Sequence, residues 1–201
     1  KRSLIKVFFM VNKFLILVCF FSLTACESPI NENMTIESSP QGIVIEDFSR
    51  NDLLNWGVVD DGVMGGRSQG YLSLKDEIAT FRGYLSLQNN GGFSSIRAYL
   101  PYDYSNYDTF IVRVKGDGRE YNFRVRSDEN SWASYSHSFS TNKDIWTEVE
   151  LNVNDFYPTY RGYSVTNLPR LSTVMIREIG IMLSDKKAGN FNLEIDWIKI
   201  K

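Results

Sequence analysis

The sequence predicts an all-β protein folded as a two-sheet antiparallel jelly-roll sandwich, and three observations support this prediction. Apolar residues recur at every second position in about ten short segments, which is typical of strands with one buried face. Turn-forming residues such as Gly116, Asp117 and Gly118 separate these segments at short intervals. A helical period is nearly absent. Many short antiparallel strands favour a sandwich over an open sheet, with a closed barrel as the alternative.

The same pattern predicts each element along the chain. The last strand alternates so that Phe191, Leu193, Ile195 and Trp197 share one face, and it is expected to be deeply packed. The first strand is expected to pair with it and close the domain. Short helical turns are expected at residues 51–56 and 168–173. The predicted strands are residues 43–48, 71–74, 79–85, 94–100, 109–114, 121–125, 133–139, 146–153, 176–183 and 191–200.

The beginning of the chain indicates export. Four basic residues, the last of them Lys13, precede a short apolar run at 14–21, as in a signal peptide. The run is too short to span a membrane, which takes roughly 20 residues. The next segment, Leu-Thr-Ala-Cys at 23–26, resembles a bacterial lipobox in which Cys26 would be lipidated. Ordinary secretion with cleavage near Ala25 is the alternative, and Met10 is a candidate translation start.

These features predict a chain of three parts. Residues 1–26 form a lipoprotein signal peptide, 27–41 a polar flexible tether, and 42–201 one β-sandwich domain. A lipidated Cys26 would hold the domain at a membrane surface. The predicted location is therefore the cell envelope, on the periplasmic face of a bacterial membrane, with inner and outer membrane both open.

Composition excludes several kinds of site from the mature domain. The chain has two cysteines, one in the leader and the other Cys26, so no disulfide or thiol nucleophile is available to the domain. The single histidine, His137, lies in an alternating segment and is expected on a sheet surface rather than as a general base. Without the leader, 18 basic residues stand against 24 acidic ones, a net charge of about −6 that argues against nucleic-acid binding. The basic residues between 113 and 126 alternate with apolar ones, which is typical of a solvated sheet face.

Two glycine-rich segments carry most of the candidate site. Each contains a Gly-Gly pair beside an apolar residue, which indicates positive φ or close backbone approach. No catalytic residue is predicted. The candidate residues for ligand or partner binding are Asp60, Asp61, Met64, Gly65, Gly66, Arg67, Ser68, Asn89, Asn90, Gly91, Gly92, Phe93, Arg97 and Arg161.

Several of these residues have two interpretations. Asp60 and Asp61 are expected to cap turns, with cation binding as the alternative. Met64 and Phe93 are expected in the core, and an exposed apolar patch for a protein client is the alternative. The arginines 67, 97 and 161 are expected to pair internally rather than clamp a partner carboxylate, with acids such as Asp47, Asp61 and Asp196.

The motif residues together resemble a known family, the complex I intermediate-associated protein 30 domain, which has a galactose-binding-like jelly-roll fold. The resemblance covers most of residues 43–200. It rests on both glycine-rich segments, on Trp56 before the first, and on the closing residues from Gly189 to Ile198. Asp60 departs from the pattern, which commonly has Asn there. The resemblance implies a protein partner, with a structural calcium left open and no other cofactor.

The expected function is that of a non-enzymatic, lipid-anchored protein-interaction module. Mitochondrial members of the family resemble assembly chaperones for respiratory complex I, so an assembly factor for a membrane or envelope complex is implied. A carbohydrate-binding module of the envelope is the alternative, and a carboxylate-based glycosidase is disfavoured because the paired acids lie in turns. The aromatic residues that would form a sugar platform are Trp132, Tyr135, Tyr157, Tyr160 and Tyr163.

Overall fold

The computed structural model describes residues 42–49, 54–100, 104–128, 130–173 and 176–201. They form a six-stranded and a seven-stranded antiparallel sheet around one shared core, which confirms the predicted all-β sandwich. The predicted leader, the lipidation residue Cys26 and the tether lie outside these ranges. Within the ranges, no helix has the length and hydropathy that a membrane span requires.

The strands coincide with the predicted alternating segments to within a few residues, and residues 57–60, 157–160 and 163–164 form additional strands. No α-helix occurs in the described part of the predicted turns at 51–56 and 168–173. Short 3₁₀ turns occur instead at Asp61–Met64, Gln88–Asn90 and Val153–Asp155. In chain order the strands are β1 (Ile43–Glu46), β2 (Gly57–Asp60), β3 (Gln69–Lys75), β4 (Ile78–Leu85), β5 (Ser94–Tyr99), β6 (Thr109–Lys115), β7 (Glu120–Ser127), β8 (Ser134–Ser140), β9 (Trp146–Asn152), β10 (Tyr157–Tyr160), β11 (Tyr163–Ser164), β12 (Ile176–Leu183) and β13 (Gly189–Ile200).

The long strand β13 organises the six-stranded sheet. The sheet runs β3-β4-β13-β6-β9, and β1 pairs with the final residues of β13, beyond the part paired with β4. The pairing of Ile43 with Ile200 joins the first strand to the last, as predicted. The seven-stranded sheet runs β11-β10-β8-β7-β12-β5-β2, so its central strands are β8, β7 and β12.

A β-bulge changes which face the end of β13 presents. The pairing with β6 shifts register between Ile195 and Trp197, so Asp196 is an extra residue at that point. Ile195, Ile198 and Ile200 are all buried, whereas Trp197 is half-buried with the Lys199 ammonium 4.1 Å from its ring centroid. The prediction that Trp197 shares a face with Ile195 was wrong because the bulge reverses the alternation.

Aromatic side chains fill the space between the two sheets. Phe110 of the six-stranded sheet contacts Phe123 of the seven-stranded sheet, with ring centroids 5.0 Å apart. Both rings are fully buried, and Phe156 packs against each of them. Burial of such rings stabilises by roughly 1.5 to 3 kcal/mol each. This core fixes the positions of the strands, whose outward residues are then free to form a site.

Candidate functional site

The outer face of the seven-stranded sheet forms the floor of a groove of about 640 Å³. Tyr121, Phe123 and Val125 of β7 point into the core, so the alternate residues of that strand point outward. The β4–β5 and β10–β11 connections are the walls. The residues lining the groove are Met64, Leu87, Asn90, Gly91, Gly92, Phe93, Arg97, Asn122, Arg124, Arg126, Trp132, Ser134, Ser136, Tyr157, Thr159, Tyr160, Arg161, Gly162, Ser164, Met182, Ser184 and Lys186.

The strand register places two arginines in one row across this floor. Arg124 on β7 lies opposite Gly180 on β12, and Gly180 lies opposite Arg97 on β5. On the other side Arg124 lies opposite Ser136, so small residues flank it both ways. A Cβ on Gly180 would approach the Arg97 Cγ to 3.2 Å and the Ile96 carbonyl oxygen to 2.6 Å. The glycine therefore leaves the space that Arg97 occupies over the sheet.

The arginines of the floor have few acceptors among the described residues. Arg97 Nε donates to Ser95 Oγ at 3.2 Å, and Arg126 Nε donates to Ser134 Oγ at 3.3 Å. Arg126 also lies 3.8 Å from the Glu178 carboxylate. Arg124 Nη1 contacts the Met182 sulfur, while its Nε is buried with no hydrogen-bond partner in the described part of the chain. The floor is thus rich in donors.

Burial and mutual repulsion lower the pKa values of two of these groups. Burial, followed by the charges of Arg97 and Arg126, lowers the pKa of Arg124 from its ordinary value to about 10, while Glu178 acts in the opposite direction. Burial also lowers the pKa of Arg97, where the Glu178 charge raises it and the Arg126 charge lowers it further. With a pKa of about 10, the Arg124 guanidinium remains charged at neutral pH. Folding therefore brings together positive charges that are farther apart in the unfolded chain.

Asp61 ties the two glycine-rich segments together beside the groove. Its fully buried carboxylate accepts hydrogen bonds from Ser68 N at 2.8 Å, Ser68 Oγ at 2.6 Å, Gly92 N at 2.6 Å and Phe93 N at 3.3 Å. Burial by itself would raise the pKa of Asp61, but these donors lower it, and the result lies below the ordinary value. The carboxylate is thus the fixed centre of both loops.

The glycines around Asp61 make room for its carboxylate. A Cβ on Gly66 or Gly91 would overlap the Asp61 side chain, whereas a Cβ on Gly62 would meet nothing within 4 Å. Gly65 ends the first 3₁₀ turn with φ 89°, a conformation that suits glycine. The Gly-Gly segments are therefore built around one buried acid.

The neighbouring residues join the same loops in other ways. The Asp60 carboxylate accepts from Gly70 N at 2.9 Å and from Ser94 Oγ at 2.5 Å. Asn89 Nδ2 donates to the Gly65 carbonyl at 3.1 Å, and this bond links the two segments directly. Both carboxylates thus accept hydrogen bonds from neighbouring residues, and the donors to Asp60 lie on strands β3 and β5. The described residues contain no group of three or more His, Cys, Asp or Glu that could hold a metal ion.

The remaining candidate residues divide between the groove and the surface. Asn90, Gly92, Phe93, Arg97 and Arg161 line the groove, and Arg67 is exposed elsewhere. Arg161 lies in the two-residue turn of the β10–β11 hairpin, and its guanidinium carbon is 5.3 Å from the Tyr160 ring centroid.

Two interpretations from the sequence were wrong. Met64 is 55% exposed and Phe93 is half-buried, and both line the groove, so neither is a core residue. The buried Asp61 side chain holds the 3₁₀ turn that carries Met64, and this leaves the Met64 side chain exposed. The proposed acidic partners are also engaged otherwise, because Asp61 binds Ser68 and Asp196 pairs with Arg113.

Arg124 and Arg126 were missed as site residues. Their alternation with apolar residues predicts an outward-facing strand, and that part is observed. Alternation does not say which sheet the strand joins or what lies above it.

The prediction that His137 lies on a sheet surface was wrong, because it lies opposite the inward-facing Phe123 and packs against the buried Phe156 ring, with ring centroids 5.3 Å apart. Its Nδ1 lies 2.9 Å from the Ser138 carbonyl oxygen.

Solved structures of similar fold include carbohydrate-binding modules. The family 11 carbohydrate-binding module of a cellulosomal cellulase from Clostridium thermocellum superposes with a TM-score of 0.60 at 17% identity. The match covers 79% of this chain and 94% of the module. A second structure of the Clostridium thermocellum family 11 module, in complex with a β-1,3-1,4-mixed-linked tetrasaccharide, has a TM-score of 0.58 at 20% identity, over 78% of this chain and 93% of the module. At these identities the likeness shows the shared fold.

Sequence comparison gives the family. A mouse (Mus musculus) protein named "Complex I intermediate-associated protein 30, mitochondrial" is 30% identical over 175 residues, which cover 75% of this chain and 53% of that protein. The Drosophila melanogaster protein of the same name is 23% identical over 184 residues, covering 79% of this chain and 62% of that protein. The chain thus spans about half the length of the mouse relative. Residues 46–195 match the family model described as Complex I intermediate-associated protein 30, and the chain belongs to that family.

Proposed function

We propose that this chain is a non-enzymatic interaction module that assists the assembly of a respiratory membrane complex. The observation that carries this proposal is the family match over residues 46–195. The matched range includes both glycine-rich segments that Asp61 holds together, and the whole groove floor. The relatives' names associate them with complex I intermediates. A large polar groove on a rigid sandwich is a suitable surface for a protein client.

Pull-down from native membranes tests this function. The full chain, tagged at its carboxyl end and purified in detergent from cells that contain complex I, is expected to recover membrane-arm subunits identified by mass spectrometry. An unrelated lipoprotein with the same tag, in the same membrane, is the matched control. Deletion of the gene that encodes this chain should also reduce the amount of assembled complex I on native gels. Normal assembly after deletion, together with recovery of no complex I subunit, would exclude the function.

We further propose that Cys26 carries lipid and places the domain on the periplasmic face of the envelope. The supporting feature is the apolar run followed by Leu-Thr-Ala-Cys at 23–26. Two acyl chains anchor a protein stably, because each buried methylene contributes about 0.8 kcal/mol. Cys26→Ser is expected to move the chain from the membrane to the soluble fraction. Unchanged fractionation, with no acylated Cys26 peptide in the mass spectrum of the wild type, would contradict the anchor.

Carbohydrate binding is a second candidate, favoured by the aromatic side chains at one wall of the groove. Trp132 is 49% exposed and stacks edge-on against Tyr160, with ring centroids 5.3 Å apart. Tyr157, which also lines the groove, is 40% exposed, whereas Tyr135 is buried in the core and was wrongly included in the predicted platform. Exposed rings of this kind can stack on sugar faces. Binding of a mixed-linked glucan tetrasaccharide by calorimetry, abolished by Trp132→Ala, would favour this candidate over protein binding.

A further inference from the structure

We infer that the groove holds an acidic, extended segment of a protein partner, with Arg97, Arg124 and Arg126 binding its carboxylates. The groove itself is observed, and the partner class rests on the proposed function. The inference is carried by the charge of the lining, the free donors of the floor, the spacing of the arginines and the apolar residues at the rim.

The charge of the groove is opposite to that of the chain. Five of the described lining residues are Arg or Lys and none is Asp or Glu, although the chain as a whole has a net charge of −2. Glu178 is the acid beside the floor, and it lies 3.8 Å from Arg126. One carboxylate opposite three guanidiniums leaves an excess of positive charge. Complementary charge in such a groove favours an anionic ligand.

The donors of the floor suit carboxylates in particular. A guanidinium presents its N–H groups in a planar fork that matches a carboxylate in bidentate geometry. Arg124 Nε is buried without a protein acceptor among the described residues, and burial of such a charged donor is unfavourable. A carboxylate bound in the groove beside the Arg124 guanidinium would offset its repulsion with the neighbouring arginines.

The spacing of the arginines fits an extended peptide. Arg124 and Arg126 are alternate residues of β7, so their Cα atoms are about 6.8 Å apart. An extended segment lying along β7 repeats its own side chains at the same interval. Arg97 lies two strands away from Arg124, at about 10 Å, and would reach a carboxylate on the opposite side of the segment.

The rim favours a protein over a glycan. Met64 and Leu87 are exposed apolar side chains on one wall, and Trp132 is exposed on the other. Protein interfaces are enriched in aromatic residues, Met and Arg, and ten of the 22 residues that line the groove are of these kinds. Aliphatic side chains pack on apolar side chains of a peptide, whereas sugar faces stack on aromatic rings. We therefore expect the acidic segment to carry a large apolar residue beside its carboxylates.

Fluorescence anisotropy with two labelled decapeptides tests the inference. The first peptide consists of two copies of Gly-Glu-Leu-Glu-Gly. In the second peptide every Glu is replaced by Gln. The full chain in detergent is expected to bind the acidic peptide at least tenfold more tightly than the Gln peptide, and more weakly as salt increases. Arg97→Gln and Arg124→Gln should each weaken binding by about tenfold. Arg124→Lys should restore part of the loss. Arg82→Gln, on the other sheet, is the matched control and should change affinity less than twofold.

Each other outcome overturns the inference. Equal binding of the two peptides, or binding of neither, would exclude a carboxylate site for peptides. Binding of oligogalacturonate or mixed-linked glucan in place of the acidic peptide would assign the groove to a glycan instead. If pull-down recovers complex I subunits equally with the wild type and with Arg97→Gln/Arg124→Gln, the assembly function stands and the groove is not its docking site. A gain in thermal stability of Arg124→Gln, together with its loss of binding, distinguishes lost recognition from unfolding.

Discussion

The outer faces of the two sheets both carry rows of basic residues, yet in the described part of the chain the groove lined by several basic side chains lies on the seven-stranded sheet. On the six-stranded sheet, Lys115 pairs with Glu194 at 2.7 Å and Arg113 pairs with Asp196. Both cations also lie over the Trp146 ring. On the seven-stranded sheet the corresponding cations are Arg97, Arg124 and Arg126, beside the single acid Glu178 of β12.

The difference lies in the neighbouring strands rather than in the basic strands themselves. β6 and β7 have similar alternating sequences, Thr-Phe-Ile-Val-Arg-Val-Lys and Glu-Tyr-Asn-Phe-Arg-Val-Arg-Ser. The strand beside β6 supplies Glu194 and Asp196, one acid for each cation, whereas β12 supplies Glu178 opposite Arg126 but only Gly180 opposite Arg124. The loops held by Asp61 form a wall on this second face. A binding surface arises where the neighbouring strands supply fewer acids than there are cations.

We expect removal of the Asp61 carboxylate to have the largest effect on the difference between the two faces. This carboxylate holds the loop that forms one wall of the groove. Asp61→Ala leaves the buried N–H groups of Ser68 and Gly92 without their acceptor, so the free energy of unfolding should fall by about 4 kcal/mol. Urea unfolding measures this. Asp155→Ala, at an exposed carboxylate, should stay within about 0.5 kcal/mol of the wild type. Equal losses in the two variants would contradict the role of Asp61.

The glycines around Asp61 give a matched pair of substitutions. Gly91→Ala places a Cβ in the Asp61 carboxylate, although the backbone at Gly91, with φ −69°, accepts any residue. Such overpacking should lower the free energy of unfolding by about 2 to 3 kcal/mol. Gly62→Ala, in open space, should change it by less than about 0.5 kcal/mol, since nothing lies within 4 Å of the new Cβ. Thermal unfolding of both variants would show whether the loops are built around this acid.

Substitution of one arginine on each face tests the comparison directly. Because folding lowers the pKa of Arg124 to about 10, the charged form is disfavoured in the folded state at neutral pH. Arg124→Gln should therefore raise the free energy of unfolding by roughly 1 to 2 kcal/mol. Arg113→Gln, which removes the pair with Asp196, should lower it by up to about 1 kcal/mol. Effects of the same sign in both variants would remove the distinction between the faces.

The smallest effect is expected in the dependence of the free energy of unfolding on pH in the acidic range. The pKa of Asp61 is lower in the folded protein than the ordinary value of 3.8, because the Ser68, Gly92 and Phe93 donors outweigh burial. Its contribution is complete above pH 3.8 and is lost as the pH falls through the folded pKa, since the unfolded chain binds the proton first. Asp61→Asn should flatten this part of the curve measured by urea unfolding. An unchanged slope below pH 4 would assign the acid sensitivity elsewhere, for example to Asp185, whose pKa is also lowered.

The sequence predicted the strands well because alternation is a local signal. The segments around Phe81, Phe123 and Ile181 each carry their own period of two, so their inward faces follow without knowledge of the partner strands. The exception, Trp197, lies just after a bulge. An extra residue in one strand reverses the alternation, and nothing in the spacing of β13 alone marks where it occurs.

The candidate site was predicted in part. The glycine pairs indicated close backbone approach, and Asp61 is the group that approaches. Met64 was placed wrongly because a Met beside glycines is compatible with core and surface alike, and only the position of the 3₁₀ turn decides between them. Arg124 was missed because its significance depends on Gly180 and Arg97, which are 56 and 27 residues away in the chain.

By itself, the sequence determined the sandwich, the family resemblance and the absence of cysteine from residues 27–201, because each depends on residue types and short-range order. The tertiary structure decided which basic residues are neutralised and which remain available. Charge pairing depends on strands that are distant in the chain and adjacent in the sheet. Arg113 and Arg124 look alike in the sequence, and they differ because Asp196 lies beside one and Gly180 beside the other.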